Sequence, residues 1–135
     1  MSPGAIVYVD TSALGALLIE QPESNALVEW LDQTTDVLVS CDLVEIELRR
    51  IAVREGIDQG AVTWILDGVG LAVLDRAVYR GAALLPMPYL GTLDALHLEA
   101  AMRLDAAAVL TYDHRLGKAV RAVGLQVIAP GTAHV

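Results

Sequence analysis

Two hydrophobic patterns alternate along the chain. Short runs of β-branched, aliphatic or aromatic residues predict strands buried on both faces, at residues 6–9, 37–40, 71–75, 107–111 and 126–129. Between these runs, apolar residues recur at helical spacings and predict helices over about 11–18, 22–33, 42–55, 58–67, 77–85, 92–104 and 114–123. Strands that alternate with helices predict an α/β fold in which helices cover both faces of a parallel sheet.

Capping residues refine these boundaries. Thr11 or Ser12 is expected to cap the first helix, and Thr92 the sixth. Pro22 suits the first turn of the second helix, and Gly56 is expected to end the third. Because no internal repeat or linker interrupts this order, we expect one domain over 1–135. Its predicted architecture is a three-layer α/β/α sandwich with a central, mostly parallel five-stranded sheet.

Four carboxylates are placed where they could converge. Asp10 and Asp113 each follow a predicted strand, and Glu47 and Asp94 lie on predicted helices. In open α/β sheets, ligands bind beyond the carboxyl ends of the strands. Clustered carboxylates repel one another, and a hard divalent cation such as Mg²⁺ or Mn²⁺ relieves that repulsion. Such a site can hydrolyse phosphodiester bonds with an activated water.

Each of these acids also has a purely structural interpretation. Asp10 and Asp113 could serve as helix N-caps, and Asp94 could stabilise the first turn of its helix through the helix dipole. The second acid has a competitor, because Glu45 lies two residues before Glu47. Helical periodicity favours Glu47, whereas Glu45 is expected to point to solvent.

Composition narrows the partners. The chain has 135 residues, a net charge of −8 and a pI near 4.6, which counts against nucleic-acid binding through bulk electrostatics. The clustered Arg49, Arg50 and Arg54 are candidates for phosphate or partner contacts, with a solvated helix face as the alternative. No apolar run reaches the roughly 18 residues of a membrane span, and no basic leader is evident, so we expect a cytoplasmic protein.

The lone Cys41 cannot form an internal disulfide, which agrees with a reducing compartment. Its sequence neighbours are Ser40 and Asp42, and no basic partner that would lower its pKa is evident. We therefore interpret Cys41 as a buried, inert residue, with a catalytic thiol as the alternative.

Four segments together resemble a known family. In this order, YVDTSALGALL, SCDLVEIELRR, TLDALHLEAAMRL and VLTYDHRLGKAVRAVGLQVIAPG resemble the blocks of PIN-domain ribonucleases, in particular the VapC-type toxins of toxin–antitoxin pairs. The resemblance spans about residues 6 to 131. It implies a metal-dependent endoribonuclease that acts on RNA with Mg²⁺ or Mn²⁺. It also implies a homodimer and an antitoxin partner that occupies the active-site groove.

The resemblance assigns the catalytic and metal-binding roles to Asp10, Glu47, Asp94 and Asp113. The family's Glu-Leu-any-Arg pattern is matched by Glu47, Leu48 and Arg50, which supports Glu47 over Glu45.

One position departs from the family pattern, because Gly91 stands where the family often has Arg before Thr-Leu-Asp. A phosphate contact at that position is therefore in doubt. The sequence leaves open the roles of several neighbouring residues, namely Ser12, Thr111, His97, Arg115, Arg49, Arg50 and Arg54.

Two other functions compete with the nuclease. A catalytically silent PIN-like binding module would not need four mutually repelling acids. An aspartyl phosphotransfer domain would use Asp10 as the phosphoryl acceptor. That chemistry usually needs an Asp two residues later, where this chain has Ser12, and a well-placed lysine, whereas its only lysine is Lys118 on a late helix.

Overall fold

Five short strands form one sheet in which every neighbouring pair is parallel. The computed structural model describes residues 4–133. Strands β1 to β5 cover Ile6–Val9, Val37–Cys41, Gly70–Ala72, Ala108–Leu110 and Gln126–Ile128. Their order across the sheet is β3-β2-β1-β4-β5. The expected five-stranded sheet is confirmed, and it is entirely parallel.

Helices cover both faces of this sheet. Within the described residues, α1 to α7 cover Thr11–Leu18, Ser24–Gln33, Leu43–Glu55, Gln59–Asp67, Arg76–Ala83, Thr92–Arg103 and His114–Ala122. One buried cluster joins the sheet to α1–α4, and a second joins it to α5–α7. The three-layer α/β/α sandwich is therefore confirmed. In the described part of the chain, no helix is long and apolar enough to span a membrane.

Alternation along β1 feeds both cores. Val7 and Val9 belong to the cluster under α1–α4, whereas Tyr8 belongs to the cluster under α5–α7. Because successive side chains of a strand point to opposite faces, this central strand is hydrophobic on both sides. All three side chains are almost fully buried, at 0%, 0% and 1% exposure for Val7, Tyr8 and Val9.

The strand order reverses at β1, which lies between β2 and β4. The chain moves from β1 through β2 to β3 on one side and then crosses to β4 on the other. This reversal is the topological switch point at which open α/β sheets bind their ligands. Asp10 follows β1 and Thr111 follows β4, so both stand at the carboxyl edge beside this point.

Several local expectations were wrong. The N-cap of α1 is Asp10, not Thr11 or Ser12, because the Asp10 carboxylate accepts a hydrogen bond from the N–H of Ala13. The N-cap of α6 is Gly91, and Thr92 is the first helical residue. Helix α2 begins at Ser24, so its first turn does not contain Pro22.

The third strand is shorter than its apolar run suggested. The expected strand at 71–75 is instead Gly70–Ala72. Among the described strands it pairs only with β2, whose last residue, Cys41, lies opposite Ala72. Beyond that pair β3 has no neighbour to continue the ladder, and Val73 is 76% exposed. Asp75 then caps α5 through the N–H of Val78.

Candidate active site

Asp10 lies in a buried polar pocket at the end of β1, with 2% of its surface exposed. The hydroxyl of Thr111 donates to its Oδ2 at 2.6 Å, and the hydroxyl of Ser12 donates to its Oδ1 at 2.8 Å. Ser12 in turn accepts a hydrogen bond from the N–H of Tyr112 at 2.9 Å. Burial raises the pKa of Asp10 above its usual value, although the bonds from Thr111 and Ser12 oppose the shift.

Ser12 and Thr111 thus share one task, which the sequence left open. Both hold the Asp10 carboxylate, and they link the ends of β1 and β4 across the switch point. The Asp10 carboxylate also caps α1, as the structural interpretation expected.

Glu47 reaches the same region from α3. Its Oε1 accepts hydrogen bonds from the Thr11 hydroxyl at 2.6 Å and from Nε2 of His97 at 2.8 Å. Burial alone would raise the pKa of Glu47, but the bonds from His97 and Thr11 outweigh it and lower the pKa. Glu47 is therefore held as a carboxylate, with both bonds directed to one oxygen.

A buried chain of polar groups supports His97. The Tyr8 hydroxyl lies 2.7 Å from Nδ1 of His97 and donates to Sγ of Cys41 at 3.1 Å. Burial lowers the pKa of His97, but interactions with Cys41 and Glu47 outweigh burial and raise it to about 10. A protonated imidazole would donate from Nε2 to Glu47 and from Nδ1 to the Tyr8 oxygen, which leaves the Tyr8 hydrogen for Cys41.

This chain of hydrogen bonds bears on the interpretation of both His97 and Cys41. The role of His97, which the sequence left open, is a hydrogen bond to the carboxylate of Glu47 on another helix. The expectation that no basic group lies near Cys41 was wrong. The Tyr8 hydroxyl bonds to both Cys41 and His97 and so brings the imidazole close to the thiol. Burial opposes ionisation of the thiol, yet His97 and Tyr8 lower its pKa. Cys41 is 0% exposed, which fits the interpretation of a buried residue.

Asp94 and Asp113 complete the set of acids. Asp94 lies in the first turn of α6, and the Asp113 carboxylate caps α7 by accepting from the N–H of Leu116 at 2.8 Å. Burial, followed by the negative charge of Asp113, raises the pKa of Asp94 to about 6. The charges of Asp10 and Glu47 add to this increase, whereas His97 reduces it.

The negative charges of all three other acids thus act on Asp94, which indicates that the four carboxylates lie near one another at the carboxyl edge of the sheet. They do not form a closed cage. Among residues 4–133, no group of three His, Cys, Asp or Glu side chains is arranged as a ready-made metal site.

The competing acid Glu45 lies elsewhere. Its carboxylate accepts from Nε of Arg49 at 2.7 Å, one helical turn along α3. Arg49 also donates to the side chains of Gln59 and Thr63 on α4, so it joins two helices. The inward face of α3 is formed by Val44, Leu48 and Ala52, and Glu47 lies beside it with 21% of its side chain exposed.

Comparison with known proteins identifies the fold. Residues 7–122 match the sequence profile of the PIN domain. The chain belongs to the PIN-domain family. Ribonuclease VapC35 of Mycobacterium tuberculosis is 38% identical to this PIN domain over 135 residues, which cover 95% of this chain and 99% of VapC35.

Solved structures agree on the fold at lower identity. Mycobacterium tuberculosis VapC20, described as a Sarcin-Ricin loop cleaving toxin, superposes on this PIN domain with a TM-score of 0.74 at 15% identity, covering 92% of this chain and 99% of that one. A chain of a toxin–antitoxin complex from Klebsiella pneumoniae gives a TM-score of 0.72 at 16% identity, covering 96% and 99%.

Sequence reasoning missed two contributors to the site. Thr11 was assigned only as a cap, although its hydroxyl binds Glu47. Tyr8 was assigned only to a buried strand. A tyrosine in a strand buried on both faces needs a partner for its hydroxyl, and that requirement was a usable signal.

Proposed function

We propose that this PIN domain is a divalent-cation-dependent endoribonuclease and the toxin of a toxin–antitoxin pair. Asp10, Glu47, Asp94 and Asp113 would form its catalytic and metal-binding site. The observation that carries the proposal is the raised pKa of Asp94, which is due to burial and then to the charges of neighbouring acids. A protein gains no stability from such an arrangement unless a cation or substrate compensates it.

The donor set fits a hard cation. All four candidate ligands are carboxylates, and Mg²⁺ and Mn²⁺ prefer oxygen donors. Mg²⁺ keeps several of its waters and needs only one or two carboxylates from the protein. A bound ion would acidify water and neutralise charge on the scissile phosphate. Asp10, Asp94 and Asp113 would hold it, and Glu47 would bind a second ion or orient water.

The surrounding side chains have separate tasks in this proposal. Thr111 and Ser12 fix the direction of the Asp10 carboxylate. Thr11 and His97 both donate to Oε1 of Glu47, so Oε2 can accept a proton or a water. Preorganised acceptors of this kind contribute to hydrolysis because they need not reorganise during the reaction.

The relatives support the proposed partners. VapC35 and VapC20 are named as a ribonuclease and as a toxin that cleaves the Sarcin-Ricin loop, which supports RNA as the substrate. The Klebsiella pneumoniae structure is a toxin–antitoxin complex, which supports a VapB-like antitoxin as a partner. A homodimer remains an expectation from the family resemblance, and a cytoplasmic location remains an expectation from the absence of a targeting signal in the sequence.

The phosphotransfer alternative has less support. The ammonium group of Lys118 lies 4.2 Å from the centre of the Tyr89 ring, in a cation–π contact. Both oxygens of Asp10 already accept hydrogen bonds, and the residue two positions later is one of the donors.

RNA cleavage by purified protein tests the proposal. We expect the wild type to cut mixed-sequence single-stranded RNA with added Mg²⁺ or Mn²⁺, and to lose this activity in EDTA. Asp10→Asn and Asp94→Asn should each lower the rate by more than about a hundredfold. Glu47→Gln should also lower it, and Glu45→Gln on the same helix is the matched control.

The outcomes separate the alternatives. Cleavage that survives in both Asp10→Asn and Asp94→Asn, after identical purification, would exclude this site as the nuclease centre. Intact folding without cleavage by the wild type would favour the silent binding module, and a phosphoryl group trapped on Asp10 would favour phosphotransfer.

A further inference from the structure

Gly15 occupies the middle of α1, where neither the backbone nor packing requires a glycine. Its conformation is helical, and apart from the two adjacent residues and the backbone of α1 itself, no described atom lies within 4 Å of the position that a Cβ would take. Glycine is the least favourable residue in a helix interior apart from proline. An alanine at this position would therefore stabilise α1 without displacing a neighbour, which raises the question of what needs the open space.

The space above Gly15 belongs to a surface groove of about 360 Å³ that runs along α1. Its volume lies within the roughly 300–1,000 Å³ typical of small-molecule sites. Thr11 and Ser12, whose hydroxyls bond to Glu47 and Asp10, form one end of the groove. The groove therefore lies beside the residues that hold Glu47 and Asp10, although none of the four acids lines it.

Two lining residues of the groove, Arg54 and Tyr112, differ in their chemistry. Arg54, on α3, contributes a cationic side chain that is 67% exposed. Its ion pair is with the adjacent Glu55 at 3.5 Å, an exposed pair of the kind that contributes little to stability. The hydroxyl of Tyr112 donates to the carbonyl of Pro130 at 2.7 Å, which fixes the ring, and the charge of Glu23 acts on Tyr112.

We propose that this groove binds the nucleotide next to the scissile phosphate of a single-stranded RNA. The proposal rests on the nuclease function proposed above. Arg54 contacts the backbone phosphate, because guanidinium groups bind phosphate oxygens through charge-assisted hydrogen bonds. The ring of Tyr112 receives the base by stacking, which does not depend on base identity. Gly15 leaves the room that the sugar and base require.

The charges favour a nucleotide over a protein segment. A nucleotide is anionic at the phosphate and uncharged at the base, and the groove is cationic at Arg54 and aromatic at Tyr112. Glu23 beside Tyr112 would repel a phosphate on that side and would accept hydrogen bonds from an amino group of a base.

The decisive variant is Gly15→Leu, which fills the groove with a side chain that favours helices. The control is Ala77→Leu, which places the same side chain on an exposed position of α5, against the opposite face of the sheet. Binding is measured by fluorescence anisotropy with a fluorescein-labelled, mixed-sequence 12-nucleotide RNA. All proteins carry Asp94→Asn, so that the RNA stays intact. We expect Gly15→Leu to weaken binding by at least about tenfold and to leave Tm unchanged or higher.

Arg54→Gln gives a second test with a different readout. Loss of one phosphate contact should lower the slope of log Kd against log salt concentration by about one. Arg80→Gln on α5 is the matched control and should leave the slope unchanged.

Several results would overturn the inference. The first is unchanged RNA affinity in a folded Gly15→Leu protein, and the second is no RNA binding by any protein that carries Asp94→Asn. The third is a Gly15→Leu protein that binds an antitoxin more weakly but binds RNA normally. Equal RNA cleavage by wild type and Gly15→Leu would reject the groove and leave the nuclease proposal intact. Weaker RNA binding by Gly15→Leu, together with an inactive wild type, would support the groove and reject the nuclease.

Discussion

Removing the charge of Asp94 should stabilise the metal-free protein. Burial and the negative charges of its neighbours raise the pKa of Asp94 from 3.8 to about 6. A carboxyl group whose pKa is raised on folding adds no penalty below its unfolded pKa, and it destabilises the fold increasingly as the pH rises toward its folded pKa. The substitution Asp94→Asn removes this penalty and keeps the size of the side chain.

The size of the effect follows from the shift. Each pKa unit corresponds to ~1.4 kcal/mol, so the full penalty above pH 7 would be ~3 kcal/mol without screening. Asp94 is only partly buried, and solvent and salt reduce this to about 1–2 kcal/mol. The substitution also removes the favourable interaction of a negative charge with the dipole of α6 at its first turn, which reduces the gain by about 0.5 kcal/mol. The net gain of ~1 kcal/mol corresponds to a rise in Tm of about 3–5 °C for a domain of this size.

The assay is thermal unfolding in EDTA, followed by calorimetry or dye fluorescence. At pH 7.5, Asp94→Asn should melt above the wild type, and the difference should fall to about half at pH 5. Added Mg²⁺ should raise the Tm of the wild type and have little effect on the variant, because a ligand that binds only the native state stabilises it. Glu45→Gln is the control and should not melt higher, since it loses the Arg49 ion pair.

Equal or lower stability of Asp94→Asn in EDTA at pH 7.5 would refute the reasoning. A stabilisation that is independent of pH between 5 and 8 would also refute it, because the effect would then not arise from the charge of Asp94.

Two further predictions concern the same site. His97→Leu, which removes the donor to Glu47, should lose about 10- to 100-fold in affinity for Mn²⁺, measured by calorimetric titration. His97→Gln keeps a donor and should bind Mn²⁺ more tightly than His97→Leu. Equal affinities of the two variants would show that the bond from His97 does not position Glu47. Because the pKa of Asp94 is about 6, protons should compete with the cation, so the affinity for Mn²⁺ should rise with pH by up to about tenfold per unit below pH 6 and level off above it. An affinity that stays constant from pH 5 to 8 would indicate that Asp94 does not bind the ion.

The layered fold could be predicted because its signals are local. The β-branched runs that became β1 and β2 and the glycine that ends α3 each act within a few residues. The length of β3 could not be predicted, because β3 ends where its neighbour β2 ends, at Cys41, and not where its own apolar run ends. The exposure of Trp64 on α4, which is 78%, likewise depends on tertiary packing and not on its residue type.

The site was only partly predictable for the same reason. Strand ends place Asp10 and Asp113 at one edge, since parallel strands share their direction. Helical spacing puts His97 near Asp94 in sequence, yet its partner Glu47 is fifty residues away along the chain. Hydrogen bonds of this kind depend on how α3 and α6 are positioned relative to each other over the sheet. The hydrogen bonds of Thr11 and Tyr8 depend on the same relative position.

The most direct test of the proposed centre is a crystal structure of the protein with Mn²⁺, with anomalous scattering measured at the manganese edge. We predict an anomalous peak in contact with carboxylate oxygens of Asp10, Asp94 and Asp113, with Glu47 bound to the ion, to a second ion or to one of its waters. A peak at other acids, such as Glu45, or no peak under conditions that support RNA cleavage, would contradict the account.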